Sequence, residues 1–521
     1  MKLNRLLLGG AIALGLMTSC SKETPNQNEQ EKGTTHMSVS LKMPADATSA
    51  FRSESQDHNG IGFWEGKDAK LKVTLYMVSD GNGQVETQEL DAATAATSTQ
   101  DGKYKFKAFK TTPGNKTIYV VINNGGAIKT ALDSKIFDAT AFKKAYQEAY
   151  IYAKANQNNG GIDNDFAKVE GDKDIILMSG KPVTKAIEDK VTKEQADSGS
   201  KNHVNLIARR TVARVITTQD ENITNAIKDQ NGTNIGTLED IKWTVAQYEK
   251  TTYLSPQLTD GEDATDVKKV KSPNYDYVPN KDYKEKAKEY YAYDLLPFDK
   301  MLSAESFKRN SSNNPENIKN IVAKNMQFIT ETTHKYGETK GNKDATGYRK
   351  GNTPYALIEG VLNLKQDAMA KDENFVKGQD VYFGTRDRKF YMDLDKARKA
   401  NGSPKSPGEK EKDNVITYKN GKVYYIAWLN PDDTNHTKWT NSPVLRNNIY
   451  HINIKSFKMI GHSGNPFDPT PEDPKKPTPP DPDDPKTPDP DDPIFDTETY
   501  MSAEITVLNW GVHSYDIDFD Y

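Results

Sequence analysis

The sequence predicts a mainly β protein built as two bodies, with one clear helix and a C-terminal strand held on a tether. Three observations carry that reading. Apolar and polar residues alternate in many short runs, the period of a half-buried strand. Tyrosine is abundant, at 26 of 521 residues, and β-branched residues are common, a composition that suits pleated surfaces. A proline- and aspartate-rich stretch at 465–494 separates both bodies from a final segment that ends YDIDFDY. With 35% hydrophobic and 28% charged residues, the chain can bury two sizeable cores. Its net charge of −4 supplies no basic footprint for nucleic acid.

The N-terminus reads as a signal peptide over 1–19. Lys2 and Arg5 precede the apolar run 6–16, which is shorter than the roughly 20 residues a membrane-spanning helix needs. Met17-Thr18-Ser19 then leads to Cys20, the single cysteine. One cysteine excludes an intrachain disulfide and a cysteine-rich metal site. Two readings of Cys20 follow: a lipobox cysteine that takes a diacylglycerol and becomes the new N-terminus, or a stray cysteine after an ordinary secretory signal. Met17 and Ser19 depart from the strict lipobox pattern.

The first strand expected is MSVSLKM, which places Met37, Val39, Leu41 and Met43 on one face. A polar segment follows in which Arg52 precedes Ser53. Arg52 is the one arginine between Arg5 and Arg209, and an arginine in an exposed loop is a site for a trypsin-like cut.

The first body is expected over 53–224. Leu71, Val73, Leu75 and Met77 alternate as a strand, and the apolar run 118–122 before Asn123-Asn124-Gly125-Gly126 reads as a buried strand and a turn. Phe142, Ala145, Tyr146, Ala149 and Ala153 recur at helical spacing, with Asp138 as N-cap and Gly160-Gly161 as terminator. Residues 175–178 and 204–216 read as further strands.

The second body is expected over 225–464. Ile241, Trp243 and Val245 alternate, and 355–364, 381–383, 390–394, 423–428 and 450–454 are strand-like. Asn420-Gly421 signals a hairpin, because both residues accept the positive φ of a type I′ turn. The polar regions 254–292 and 305–352 read as long surface loops. Residues 465–494 read as a semi-rigid extended spacer, since proline locks φ and removes backbone donors.

The C-terminal segment 495–521 carries two strand patterns. Met501, Ala503, Ile505 and Val507 alternate; Leu508 shifts the phase, and Trp510 and Val512 follow. Tyr515, Ile517, Phe519 and Tyr521 then share one face, with three aspartates opposite. Alone such a strand is unstable in water. From its residues it reads either as an edge strand of its own domain or as a strand given to another molecule.

Enzyme signatures are missing. The eight histidines are scattered, with no HExxH, no phosphate-binding Gly-Lys loop and no GxSxG. His451 is expected on the face opposite its apolar neighbours, and carboxylates sit in polar stretches where no catalytic pair can be named. No catalytic, cofactor or metal residue is assigned, and no cofactor is expected. The Asp-rich spacer lacks the glycine-containing spacing of a calcium loop.

Several stretches together resemble the Bacteroidota fimbrillins, in particular shaft subunits of the minor-fimbria type. They are ARRTVARV (208–215), IKWTVAQ (241–247), KGNTPYALIEG (350–360), VYYIAWLNP (423–431), NSPVLRNNIYHINIKSF (441–457), the Pro/Asp spacer and MSAEITVLNWGVHSY (501–515). The resemblance implies two tandem transthyretin-like β-sandwich domains. It implies an outer-membrane lipoprotein precursor acylated at Cys20, whose propeptide 20–52 carries the first strand and leaves when an Arg-specific protease cuts between Arg52 and Ser53. It implies that the vacated groove receives a C-terminal donor strand from another subunit, so that a homopolymeric cell-surface fimbrium grows. Anchor and tip subunits as partners, and adhesion to host or bacterial surface receptors with aggregation and biofilm formation, are implied in the same way. Two other readings remain at this stage: a monomeric surface lipoprotein that binds glycan or host protein, and a tip or anchor subunit.

Overall fold

The computed structural model describes residues 33–42, 72–81, 83–91, 97–99, 103–151, 165–170, 173–259, 268–280, 283–293, 301–307, 326–337, 343–404, 413–429, 441–468, 489–492, 494 and 501–509. The architecture is mainly β, as the alternation predicts; the four largest described sheets form two pairs, with smaller two- and three-stranded sheets beside them.

In the first pair, Lys72–Ser79 lies antiparallel between Val85–Asp91 and Gly114–Ile122. Gly114–Ile122 continues the sheet to Met178–Ser179 and Val183–Ile187. The other sheet holds Thr35–Lys42, His203–Ile207, Lys103–Lys105 and Phe109–Thr111. Val73, Leu75, Ile118 and Val120 of one sheet share a core with Met37, Val39, Val204 and Leu206 of the other. Alternate residues of facing strands fill this core, as a sandwich requires, and the other face of Lys72–Ser79 and Gly114–Ile122 is buried as well.

In the second pair, Asn448–Phe457 runs between Val212–Asp220 (parallel) and Met501–Asn509 (antiparallel). Its counterpart centres on Asn234–Ala246 and Tyr355–Leu364, with Lys422–Trp428 beyond. Val215, Ile452 and Ile454 pack with Trp243, Val245 and Leu357. A third core lies where the two halves meet. Tyr76, Tyr119, Phe142 and Tyr146 pack there with Val212, Ile216, Phe328 and Ile449, and Ala149–Ile151 pairs with Thr251–Tyr253.

Local readings fail where tertiary pairing outweighs local preference. The run 204–216 is three strands rather than one, and the chain passes from the first pair of sheets to the second inside it. Arg209–Arg210 pairs with Met178–Ser179, whereas Val212–Asp220 pairs with Asn448–Phe457. A strand counted with the first body, up to residue 224, therefore belongs by its hydrogen bonds to the second sheet system. The helix capped by Asp138 ends at Gln147. Glu148 turns extended (φ −71°, ψ 157°), and Ala149–Ile151 takes its bonds from another strand instead of from the helix. Among the described residues, further α-helices at Gly126–Asp133, Tyr283–Tyr290 and Leu394–Asn401 begin where a turn, a loop and a strand end were expected, and a short one at Lys193–Asp197 lies where no element was expected.

Asn420 and Gly421 do adopt positive φ (53° and 66°), but the strands they join do not form a hairpin. Val415–Tyr418 pairs with Val381–Gly384, and Lys422–Trp428 pairs with Tyr355–Leu364. The expected surface loops also hold buried structure. Gln327–Thr330 is a buried strand, and residues 346–353 are buried throughout. Remote groups bond part of this polar backbone, as burial demands: Gln247 Nε2 donates to the carbonyls of Lys350 (2.6 Å) and Thr353 (2.7 Å). Carboxylates are likewise not confined to exposed loops, since Asp174, Glu249, Glu331, Glu359 and Glu373 are buried. His451 is buried too, with Nε2 at 2.8 Å from Thr218 Oγ1.

The described ends of the Pro/Asp stretch are not an extended spacer. Phe467 and Ile494 are buried, and the carbonyls of Pro490 and Asp492 accept hydrogen bonds from Gly351 N and Lys350 N.

Candidate strand-exchange site

Thr35–Lys42 is an interior strand. On one side it pairs in parallel with His203–Ile207, with Ser38 opposite His203 and Lys42 opposite Ile207. On the other it pairs antiparallel with Phe109–Thr111 through residues 35–37 and with Lys103–Lys105 through residues 40–42. Further backbone bonds come from His36 N to Val191 O (3.2 Å), Ser38 N to Asn202 O (3.0 Å), Phe106 N to Val39 O (2.9 Å) and Ala208 N to Lys42 O (3.0 Å). Withdrawing the strand exposes two unpaired edges at once, each with buried donors and acceptors to satisfy.

Both faces of the strand are covered. Met37, Val39 and Leu41 are at most 1% exposed and complete the core of the first pair of sheets. Burying three such side chains contributes about 5–9 kcal/mol gross. Two polar residues of the strand are also fully buried: Ser38 on the opposite face, and Thr35 at the strand's start on the face of Met37. Thr35 Oγ1 donates to Glu188 O (2.7 Å) and accepts from Val191 N (2.9 Å). Ser38 Oγ donates to Ala196 O (2.5 Å) in the short helix Lys193–Asp197 and lies 2.8 Å from His203 Nδ1. That helix is held by a reciprocal Thr192/Gln195 cap. Asn202, at positive φ, sends Nδ2 to His36 O (2.9 Å) and Glu188 O (2.9 Å).

Partial burial, aided by Lys105 and Lys185, lowers the His203 imidazole below its usual range, so the ring beside Ser38 is neutral at neutral pH. At the strand's start, a Cβ on Gly33 would sit 1.9 Å from Thr111 O; the chain enters by a path that a side chain there would block. Alternation identified the apolar face. It did not identify Ser38, Asn202 or the covering helix, because an alternating polar face looks the same whether it meets solvent or a cap of hydrogen bonds, and it did not identify Thr35, whose hydroxyl is bonded by remote backbone groups.

Met501–Asn509 lies at the edge of the second sheet system. It pairs with Asn448–Phe457 from Asn448↔Asn509 to Phe457↔Met501, with a register break at Ile454/Ser456. In the single chain, therefore, the strand bearing Met501, Ala503, Ile505 and Val507 is seated on its own second half. Met501 is buried there. Cys20, Met43, Arg52, Ser53, Trp510, Val512, Tyr515, Ile517, Phe519 and Tyr521 lie outside the described residues.

Among the described residues no group of three or more His, Cys, Asp or Glu is placed to hold a metal ion, and no helix is long and apolar enough to cross a membrane. The constellation around residues 35–42 offers backbone pairing and shaped apolar pockets, the chemistry of strand recognition.

Comparison with known proteins identifies relatives of the chain. The family model described as "Major fimbrial subunit protein type IV, Fimbrillin, C-terminal" matches residues 416–516. Two relatives, both "Minor fimbrium subunit Mfa1" of Porphyromonas gingivalis, are 36% identical over 543 residues and cover 100% of this chain and 100% of their own length. Among solved structures, a fimbrilin (FimA) from Porphyromonas gingivalis W83 is 14% identical, covers 92% of this chain and 99% of its own, and superposes with a TM-score of 0.42.

Proposed function

Because the chain belongs to the fimbrillin family of fimbrial subunits, we propose that it is the shaft subunit of a cell-surface fimbrium and that it polymerises by strand exchange at residues 35–42. In this reading the precursor reaches the outer membrane as a lipoprotein acylated at Cys20. An Arg-specific protease cuts between Arg52 and Ser53, the Thr35–Lys42 strand leaves, and the C-terminal strand of another subunit enters the groove between His203–Ile207 and the 103–111 strands. The role is structural rather than catalytic. Anchor and tip subunits, and host or bacterial surface receptors bound in adhesion and aggregation, complete the list of partners.

The observation that carries this reading is the interior position of Thr35–Lys42. A strand that fills the middle of a sheet, ahead of a lone arginine in sequence, can be severed to leave a groove with two open edges and three empty apolar pockets. While the strand is joined to its domain, it competes at high effective concentration, so the precursor can travel without assembling. The cut ends that advantage and gives assembly its direction. The incoming strand adds by β-augmentation, and the period-two faces at 501–507 and 515–521 match the alternation of Met37, Val39 and Leu41. The contact is head-to-tail and does not close on itself, so it builds a filament.

The test is cleavage of three purified chains with an Arg-specific protease, followed by electron microscopy and size exclusion. The unchanged chain should form filaments, while Arg52→Ala and a chain lacking 515–521 should remain unassembled. Filaments from either variant would remove that element from the mechanism. A cleaved but monomeric unchanged chain would favour the surface binding module.

A further inference from the structure

Arg349 and Lys350 are 6% and 4% exposed. Burying two neighbouring cations is costly unless they are paired and hydrogen-bonded. The Arg349 guanidinium is anchored by NH1 donating to Thr346 O and Tyr348 O, each at 2.9 Å, and its Nε reaches Asp491 Oδ1 at 3.3 Å. Lys350 Nζ reaches Asp492 Oδ2 at 3.2 Å. Between these ion pairs the backbones join: Lys350 N donates to Asp492 O (2.9 Å) and Gly351 N to Pro490 O (2.8 Å). Gly351 is needed for this approach, since a Cβ there would lie 2.7 Å from Pro490 Cβ and 2.8 Å from the Tyr283 ring. The acidic segment is itself folded to fit, with Asp491 N donating to Asp489 Oδ1 (3.0 Å) and Asp492 N to Asp489 O (3.0 Å).

Tyr283 also fixes the other end of the Pro/Asp stretch. Its hydroxyl donates to Phe467 O at 2.8 Å, within the buried network that ties Gln247 to Lys350 O. The stretch thus leaves the second sheet system and returns to it beside one tyrosine.

We propose that Arg349, Lys350 and Gly351 form a recognition site for an acidic proline peptide, occupied by Asp489-Pro490-Asp491-Asp492, and that this site stays occupied when the following strand is donated. The inference rests on the strand-exchange reading for its second half alone. It fixes the described residues at both ends of the Pro/Asp stretch, so that the stretch is not the donor's tether, and it starts the exchange tail at residue 495. Residues 495–521 can span up to about 90 Å when extended, so donation needs no release of the anchor. The motif occurs twice, at 481–485 and 489–493, both reading Asp-Pro-Asp-Asp-Pro; the seated copy is followed by Ile494 and the other by Lys486. Ile494 is 1% exposed, a position that a lysine would not fill, and this selects the second copy.

Amide hydrogen exchange tests both halves. In the full-length chain, Lys350 and Gly351 should be protected. Ile505→Pro, which breaks the Met501–Asn509 ladder, should leave that protection intact, as should assembly into filaments. Gly351→Val should lower it about tenfold or more, with slow exchange retained in Tyr355–Leu364 to show that the fold persists. Loss of protection in Ile505→Pro or in filaments, or no change in Gly351→Val, would overturn the proposal. If the cleaved chain forms no filaments, the strand-exchange reading fails, and the Ile505→Pro and Gly351→Val arms still decide the anchor.

Discussion

Arg214 and Asp174 form an ion pair, Nη2 to Oδ2, with both side chains at 0% exposure. Asp174 lies in Lys173–Ile176 and Arg214 in Val212–Asp220, so the bond crosses from the first half of the chain to the second. The Arg214 guanidinium also sits 5.0 Å from the centre of the Phe328 ring. The third core surrounds this junction, so the two halves are joined by packing and by charge.

Asp174→Ala leaves a buried guanidinium without its carboxylate. The expected cost is about 3–5 kcal/mol, read as a lowered urea midpoint. The double change Asp174→Leu with Arg214→Met should recover most of it, because replacing both partners removes the unpaired charge. A single-variant loss below about 1 kcal/mol would mean that the junction does not depend on this pair.

Glu249 sets a pH dependence in the second half. Burial pushes its carboxyl up to about 8, and nearby Glu331 adds to the rise, against bonds from Ser272 and Asn274. The folded-state value lies above the ordinary 4.5. Glu249's contribution is therefore fully present below about pH 4.5 and is lost as pH rises through about 8. Glu249→Gln should flatten the stability profile between those values and be the more stable chain above pH 8. Denaturant midpoints across pH for both chains check this, and parallel profiles would exclude Glu249 as the source.

Legibility in the sequence followed the range of the interactions. Tyr355–Leu364 was readable to the residue, because apolar residues dominate YALIEGVLNL, a strand buried at every position but Val361 and Asn363. The apolar face of Thr35–Lys42 was readable by alternation. Its interior position was not, because its partners are Lys103–Lys105, Phe109–Thr111 and the distant His203–Ile207. The polar burial at 327–334 and 346–353 was hidden for a related reason. Threonine, asparagine and arginine look exposed in sequence and become core residues only when remote carbonyls and carboxylates complete their bonds.

The same distinction explains Asn420. The sequence pattern specified a turn with positive φ, and the turn is present; it could not specify that the flanking strands diverge to different sheets. Asn420→Ala should cost about 1–2 kcal/mol, because alanine disfavours the left-handed region, whereas Asn420→Gly should be nearly neutral. Thermal unfolding of the two variants distinguishes local strain from a loss of strand pairing, which would affect both.

The strand-exchange reading makes stability depend on maturation at particular positions. In the precursor, Met37 and Leu41 are buried in the core that joins the two sheets of the first pair. Met37→Ala or Leu41→Ala should each destabilise it by about 2–5 kcal/mol, the usual cost of an unfilled core site. In filaments assembled after cleavage the residues are gone with their strand, so the same substitutions should leave filament dissociation in denaturant unchanged. Val204→Ala and Leu206→Ala, on the adjoining His203–Ile207 strand, should weaken both states, since the groove wall serves either occupant. Equal weakening of filaments by Met37→Ala would mean that Thr35–Lys42 stays in place after the cut, and polymerisation would then need another surface.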